Sequence, residues 1–502
     1  MKRKKMETKK IIALSLVGLL ILAFGTTVFA QVKKEEPKLD FKASGSLDIQ
    51  SFYFKNISTT GSDGIYGPPG STYRPGGAGF DRYVAYMNSR ARLKFDAKMG
   101  KELSGTIFFE MDSSRWGETG DGRNKMGYWS ADRAALEIKN VYIDFGVPYF
   151  GIPAPMTVRV GLQPLGVRPA MLVVTDGMGI TAGVKIDPVT IAPLWFKALE
   201  NKDYASDDVD VYGLHVIAKV DRFTLGGYGL YYNMNSYPLA DGTPLYSADM
   251  WWIGAYLDGK AGPVTLNLDL VHDRGTVERR FVPGVKDVDY RGWATKLKVD
   301  YPWEKFNFGL VGMYASGSDQ KKTSATGYPG STTPYGNITT KVGSYVVPPG
   351  TEQHRNFAEG MVFYDKPYLA RDPGYYTDKS DRVHRGDIGG TWMLKLYASA
   401  KLAPWYKATL QGMYIGDTTK NGNTVGTARK APYGSANLRD DKTIGFEFGL
   451  LNEIKIYKNL SFDVGLGYLI AGDALEYWDS TRSKNVKPDN PWLIASRLMY
   501  RF

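Results

Sequence analysis

Over most of this chain apolar and polar residues take turns one by one, and any fold must satisfy that period of two. In the run from Val264 to Leu270, Val264, Leu266, Leu268 and Leu270 alternate with Thr265, Asn267 and Asp269. Ala91, Leu93, Phe95 and Ala97 alternate with Arg90, Arg92, Lys94, Asp96 and Lys98. Near the end, Leu460, Phe462, Val464, Leu466, Tyr468 and Ile470 alternate with Ser461, Asp463 and Gly465. Successive side chains of a strand point to opposite faces, so each run has one apolar and one polar face. No stretch repeats at 3.6 residues over three or more turns, and no segment after the first thirty residues has the roughly 18–20 unbroken apolar residues of a membrane helix.

This reading gives about eighteen strands, a count of sixteen being the alternative, of roughly 8–17 residues each. The connections alternate too. Met99-Gly100-Lys101, Asp187-Pro188, Asp221, Pro302-Trp303-Glu304, Ala403-Pro404 and Lys458 are tight, whereas 55–82, 115–133, 164–178, 317–386 and 419–440 are long. A soluble sandwich has no reason to sort its loops by parity. A membrane barrel does, with short turns on the periplasmic side and long loops outside. Tyr149, Phe223, Trp303, Trp405 and Tyr457 stand at strand ends beside the short turns, as an interfacial girdle requires. The expected fold class is therefore all-β: a transmembrane antiparallel β-barrel, one domain over 41–502.

The first thirty residues are a separate object. Lys2, Arg3, Lys4, Lys5, Lys9 and Lys10 precede an apolar stretch from Ile11 to Phe24, and Val28-Phe29-Ala30 closes it. That pattern is a secretory signal cut after Ala30, leaving 31–40 as a periplasmic lead-in. The formal charge of +11 falls to +6 once its six cations and one anion are set aside, which removes the main support for a nucleic-acid partner. The chain has no cysteine, so disulfides, thiolate metal sites and covalent c-type haem are excluded.

The last strand, Trp492 to Phe502, ends with the chain itself and looks like the signal by which bacterial outer-membrane barrels engage their assembly machinery. Eighteen strands, the run Ser89-Arg90-Ala91-Arg92-Leu93 and the run Arg159-Val160-Gly161-Leu162-Gln163-Pro164-Leu165-Gly166 resemble the large porins of Gram-negative bacteria, in particular eighteen-strand substrate-specific and alginate-export-type porins. The resemblance implies an outer-membrane location, with lipid and lipopolysaccharide around the wall. It also implies passage of small hydrophilic solutes and a basic lumen for anions; a homotrimer is compatible with it.

If apolar residues face lipid, their neighbours face the lumen. The expected pore-lining set is Arg90, Arg92, Lys94, Glu110, Asp112, Arg159, Lys296, Lys298 and Lys395, with Lys197 among the other inward cations. The basic excess favours mild anion preference. The structural alternative is that Arg90 and Arg92 pair across to Glu110 and Asp112. Loop 317–386, with Tyr328, Tyr335, Tyr345, Tyr364, Tyr368, Tyr375 and Tyr376, either folds inward as a constriction or caps the outside; loop 55–82 reads the same way. Catalysis is not expected. The best dyad, His272-Asp273, continues the apolar register and belongs at headgroup level, and the other histidines are His215, His354 and His384. No cofactor or metal is expected: acidic loop clusters at Asp207, Asp208 and Asp210 lack the ligand spacing of a dedicated Ca²⁺ loop. The rival readings are a barrel that sheathes or docks a partner, such as a multihaem cytochrome, and an outer-membrane hydrolase.

Overall fold

Each strand carries N–H and C=O groups along both edges, and a sheet satisfies all of them only when it closes on itself. The computed structural model shows that closure. It describes residues 38–56, 83–117, 125–127, 129, 134–147, 155–200, 206–237, 239, 245–324, 327–351, 357–364, 388–480 and 482–502. Among them, eighteen strands form the wall. The first nine are β1 (Leu39–Lys55), β2 (Val84–Met99), β3 (Leu103–Trp116), β4 (Glu137–Gly146), β5 (Met156–Val167), β6 (Val173–Ile186), β7 (Val189–Leu199), β8 (Val209–Val220) and β9 (Phe223–Tyr237). They are followed by β10 (Tyr246–Ala261), β11 (Val264–Arg279), β12 (Val288–Trp303), β13 (Phe306–Ala315), β14 (Thr391–Ala403), β15 (Tyr406–Asp417), β16 (Thr443–Tyr457), β17 (Leu460–Ala471) and β18 (Trp492–Arg501).

Every wall strand pairs antiparallel with its neighbours in sequence, and β1 pairs with both β2 and β18. The closing seam runs from Ser46↔Arg501 to Lys55↔Trp492. Beyond it, the Gly45 N–H donates to the Phe502 carbonyl at 2.9 Å and the Phe502 N–H returns to Gly45 at 3.1 Å. Inside the seam, Arg497 donates from Nε to both Asp48 carboxylate oxygens, at 2.8 and 2.9 Å.

The alternation sorts as a membrane wall requires. Leu268, Leu270, Leu297, Leu394, Leu396, Leu466 and Ile470 are exposed on the outside, while Asp269, Lys296 and Lys395 are buried on the inside. So broad an apolar exterior is far beyond the few hundred Å² that water-soluble monomers tolerate; it suits hydrocarbon. The inner face is not wholly polar. Trp252, Tyr232, Val271 and Leu451 are buried there, because chain segments fold back against the wall and form a core inside the barrel.

Three expectations need correction. β1 starts at Leu39, two residues before the expected barrel boundary. The connection expected over 164–178 shrinks to 168–172, because β5 runs through Pro164 in register with Asp176 as far as Val167↔Val173. β4 stops pairing with β5 at Val141↔Leu162; a strand edge without a partner is where proline is tolerated. Lys197 faces outward, since it is the register partner of exposed Met178, while its neighbour Phe196 is buried inside. The segment 1–37, loop 57–82, Tyr149, Tyr368, Tyr375, Tyr376, His354 and His384 lie outside the described residues.

Asp48→Ala leaves a largely buried guanidinium unpaired at the seam. The expected loss is about 3 kcal/mol of stability, read as an earlier urea-unfolding midpoint.

Candidate functional site: a constriction inside the barrel

Three segments leave the wall and cross the interior. The first is the turn 168–172 between β5 and β6. Arg168 adopts φ +43, and its carbonyl accepts the N–H groups of Met171 and Leu172 at 2.8 and 2.9 Å. Its guanidinium reaches across to β10 and β11. It donates to Asp258 at 2.6 Å and to Asp269 at 2.8 Å, and lies 4.0 Å from the centre of the Tyr256 ring. Two carboxylates and a ring face offer this half-buried guanidinium both the charge and the planar geometry it needs. His215, also inward, lies 3.0 Å from the Tyr256 hydroxyl through Nε2.

The second segment is 341–351, from the long loop. Its Val346 carbonyl accepts the Trp252 indole N–H at 2.8 Å, and the Val346 N–H donates to Asp273 at 3.3 Å. The other Asp273 oxygen takes the Gly292 N–H at 3.0 Å. Tyr345 donates its hydroxyl to the Met171 carbonyl at 2.5 Å, which ties the first two segments together. The wall is bare where the segment crosses: a Cβ on Gly292 would come within 2.5 Å of the Ser344 oxygen and Tyr345 Cα.

The third segment is 357–364. Glu447 on β16 receives three backbone N–H groups, from Met361 at 2.5 Å, Phe363 at 2.9 Å and Val362 at 3.3 Å. Glu359 sits between Lys296 at 2.6 Å and Lys395, whose ammonium also donates to the Glu359 carbonyl at 2.9 Å. Burial works against ionising Glu359. The charges and hydrogen bonds of the two lysines overcome that and hold its carboxyl down at about 2. Gly467 supplies the second bare patch, with Met361 Cβ 2.8 Å from where its own Cβ would stand. Over these two stretches the long loop packs against inward-facing residues of the wall.

Beside the Glu359 clamp lies a chamber of about 570 Å³ bordered by Lys298, Asp300, Tyr397, Lys407 and Glu453. Lys407 and Glu453 also border a second chamber, of about 520 Å³, towards the short-turn end, where Lys401, Lys455, Arg497 and Arg501 gather with Asp463.

The nine residues singled out from the sequence fall into two groups on different parts of the wall. On β2 and β3, Glu110 binds Arg90 and, at 2.9 Å, Arg92; Arg90 also reaches Asp112 at 3.1 Å. Lys94 pairs with Asp96 at 3.1 Å, and Arg159 with Asp144 at 2.6 Å. Lys296, Lys298 and Lys395 form the other group, with Lys298 3.5 Å from Asp300. The cross-strand pairing of Arg90 and Arg92 is thus present. Sequence reading missed Lys139, which joins Glu110 to Asp176 at 3.1 and 2.8 Å, because a β3–β4 irregularity at Phe108/Phe109 disturbs the local alternation. It also missed Arg168 and Glu359, which sit in loops without periodicity. His272 and Asp273 point to opposite sides of the wall, with Asp273 fully buried inside, so they form no dyad.

No family model and no curated protein matches this sequence. Among solved structures it is similar to the outer membrane protein OpdK from Pseudomonas aeruginosa, at 9% identity and a TM-score of 0.49, covering 92% of this chain and 98% of that one. OccK8 (OprE) from the same organism gives 12% and 0.48 with the same coverage. A BenF-like porin from Pseudomonas fluorescens Pf-5 gives 11% and 0.47, again covering 92% and 98%. Likeness at this level assigns neither solute nor site residues.

Glu359→Gln strands two buried ammonium groups, an expected loss of about 3–5 kcal/mol. Because the carboxyl is held below its ordinary value of 4.5, the clamp is complete above that pH and is lost as pH falls through about 2. The difference in unfolding midpoint between parent and variant should be flat from pH 8 to 5 and vanish near pH 2.

Proposed function

We propose that this chain is an outer-membrane porin through which small hydrophilic solutes diffuse passively, with mild anion preference. The observation that carries the reading is the closed wall, apolar outside and charged inside, with tethered segments lying against part of its inner face and charged chambers beside them. Barrels of sixteen to eighteen strands are wide enough for an aqueous channel. The inward segments then act as a fixed constriction, with the two chambers on its short-turn side.

The anion bias rests less on Arg90 and Arg92 than on those chambers. The β2 arginines are neutralised at close range by Glu110 and Asp112. In the chambers, Lys407 pairs with Glu453 at 2.6 Å and Lys296, Lys298 and Lys395 with Glu359 and Asp300, whereas Lys401, Lys455 and Arg501 make no ion pair among the described residues. Basic rings and ladders favour anions in pores. The sheath reading has less room, because 341–351 and 357–364 occupy space a threaded partner would need. An enzymatic reading loses its one dyad.

Purified protein in a planar bilayer should give ohmic conductance steps, and a KCl gradient should give a reversal potential of anion sign. Lys401→Gln with Lys455→Gln should move that potential towards cations more than Arg90→Gln with Arg92→Gln does. Absence of conductance from a folded, inserted barrel would overturn the pore.

A further inference from the structure

The outer surface carries a charged group that neither the pore nor its constriction uses. Register is unbroken across β10, β11 and β12, so facing can be followed residue by residue. Outward along β11, Leu268 and Leu270 give way to His272 and then Arg274; outward along β12, Leu297 gives way to Trp293 and then Arg291. Arg274 and Arg291 are therefore the first charges beyond the apolar band, at the long-loop end. They are direct register partners and both are exposed.

Like charges placed opposite one another on one face of a strand pair repel. Among the described residues, neither arginine makes an ion pair or hydrogen bond. The acids nearest in register, Asp249 and Asp289, both stand opposite Thr276, one step further out. Asp249 accepts the Tyr231 hydroxyl, and Asp289 is the register partner of Lys341. Aromatic pairs flank the arginines on either side: Trp251 stacks on Tyr231 at 4.3 Å between ring centres and Trp293 on Tyr314 at 4.8 Å. Such rings settle where hydrocarbon meets headgroups.

We infer that Arg274 and Arg291 together seat a phosphate of an outer-leaflet lipid. The inference rests on the outer-membrane reading above. Two guanidiniums present planar donor forks that match phosphate oxygens, and a bridging dianion turns their mutual repulsion into attraction. Their height on the wall selects a phosphate fixed in the headgroup layer over one free in solution.

The test uses the full barrel folded in dodecyl maltoside, with bound lipid counted by native mass spectrometry. The probes are bisphosphorylated lipid A, the same lipid dephosphorylated, phosphatidylcholine and inorganic phosphate. The parent should retain bisphosphorylated lipid A, and Arg274→Gln with Arg291→Gln should weaken retention by about tenfold or more; Arg482→Gln, in a long loop, should not. Equal retention by the double variant, equal retention of the dephosphorylated lipid, or displacement by millimolar inorganic phosphate would each overturn the seat. Should the double variant not fold, Arg291→Gln alone must still show a partial loss. Insertion into phosphatidylcholine vesicles separates the two levels: a parent barrel that does not insert overturns the membrane reading and the seat together, whereas one that inserts but ignores the substitutions overturns the seat alone.

Discussion

A backbone N–H or C=O left unpaired in hydrocarbon costs several kcal/mol, and a sheet with two edges leaves a whole row of them. Everything else here follows from meeting that constraint. Closure requires β1 and β18 to meet although they are separated by nearly the full chain, and the ladder from Ser46↔Arg501 to Lys55↔Trp492 is where they do. An even number of antiparallel strands then brings both ends of the wall to the same side. The two faces separate without further instruction, because a pleated strand assigns neighbouring side chains to opposite sides.

Once the wall is closed, its interior can hold irregular chain. The constriction is built on that licence, and the same device recurs along it: a buried carboxylate on a strand accepts backbone N–H groups from a segment that has no sheet partner. Glu447 does this for 361–363 and Asp273 for Val346. Arg168 applies the converse, a half-buried cation carried by the turn and met by two wall carboxylates. Bare glycines at 292 and 467 let the segments lie flat against the strands. Each tether satisfies polar groups that burial would otherwise penalise, which is why the inner layer holds a defined position.

The wall was legible in the sequence because period two reports facing directly wherever one face meets lipid. That signal fails near the long-loop rim, where the outer face becomes polar too: charge alone puts Lys197 inside, yet its register with Met178 places it outside. The strand continues through Pro164 because β5 has no neighbour on that edge beyond Leu162 and does not need the missing N–H there. The constriction was largely illegible. Arg168 and Glu359 lie in stretches with no periodicity, and their partners come from strands 36 to 101 residues away in the chain. Arg90, Arg92, Glu110 and Asp112 could be paired in advance only because one tight turn joins β2 to β3.

The most direct measurement is a spin-label scan along β11 in lipid vesicles, made clean by a chain without native cysteine. Labels placed singly from 265 to 272 should alternate: 266, 268 and 270 relaxed by oxygen dissolved in the bilayer, and 267 and 269 shielded from it by the wall. A flat profile, or positions 268 and 270 open to a water-soluble relaxant, would contradict the barrel-in-bilayer account at its root.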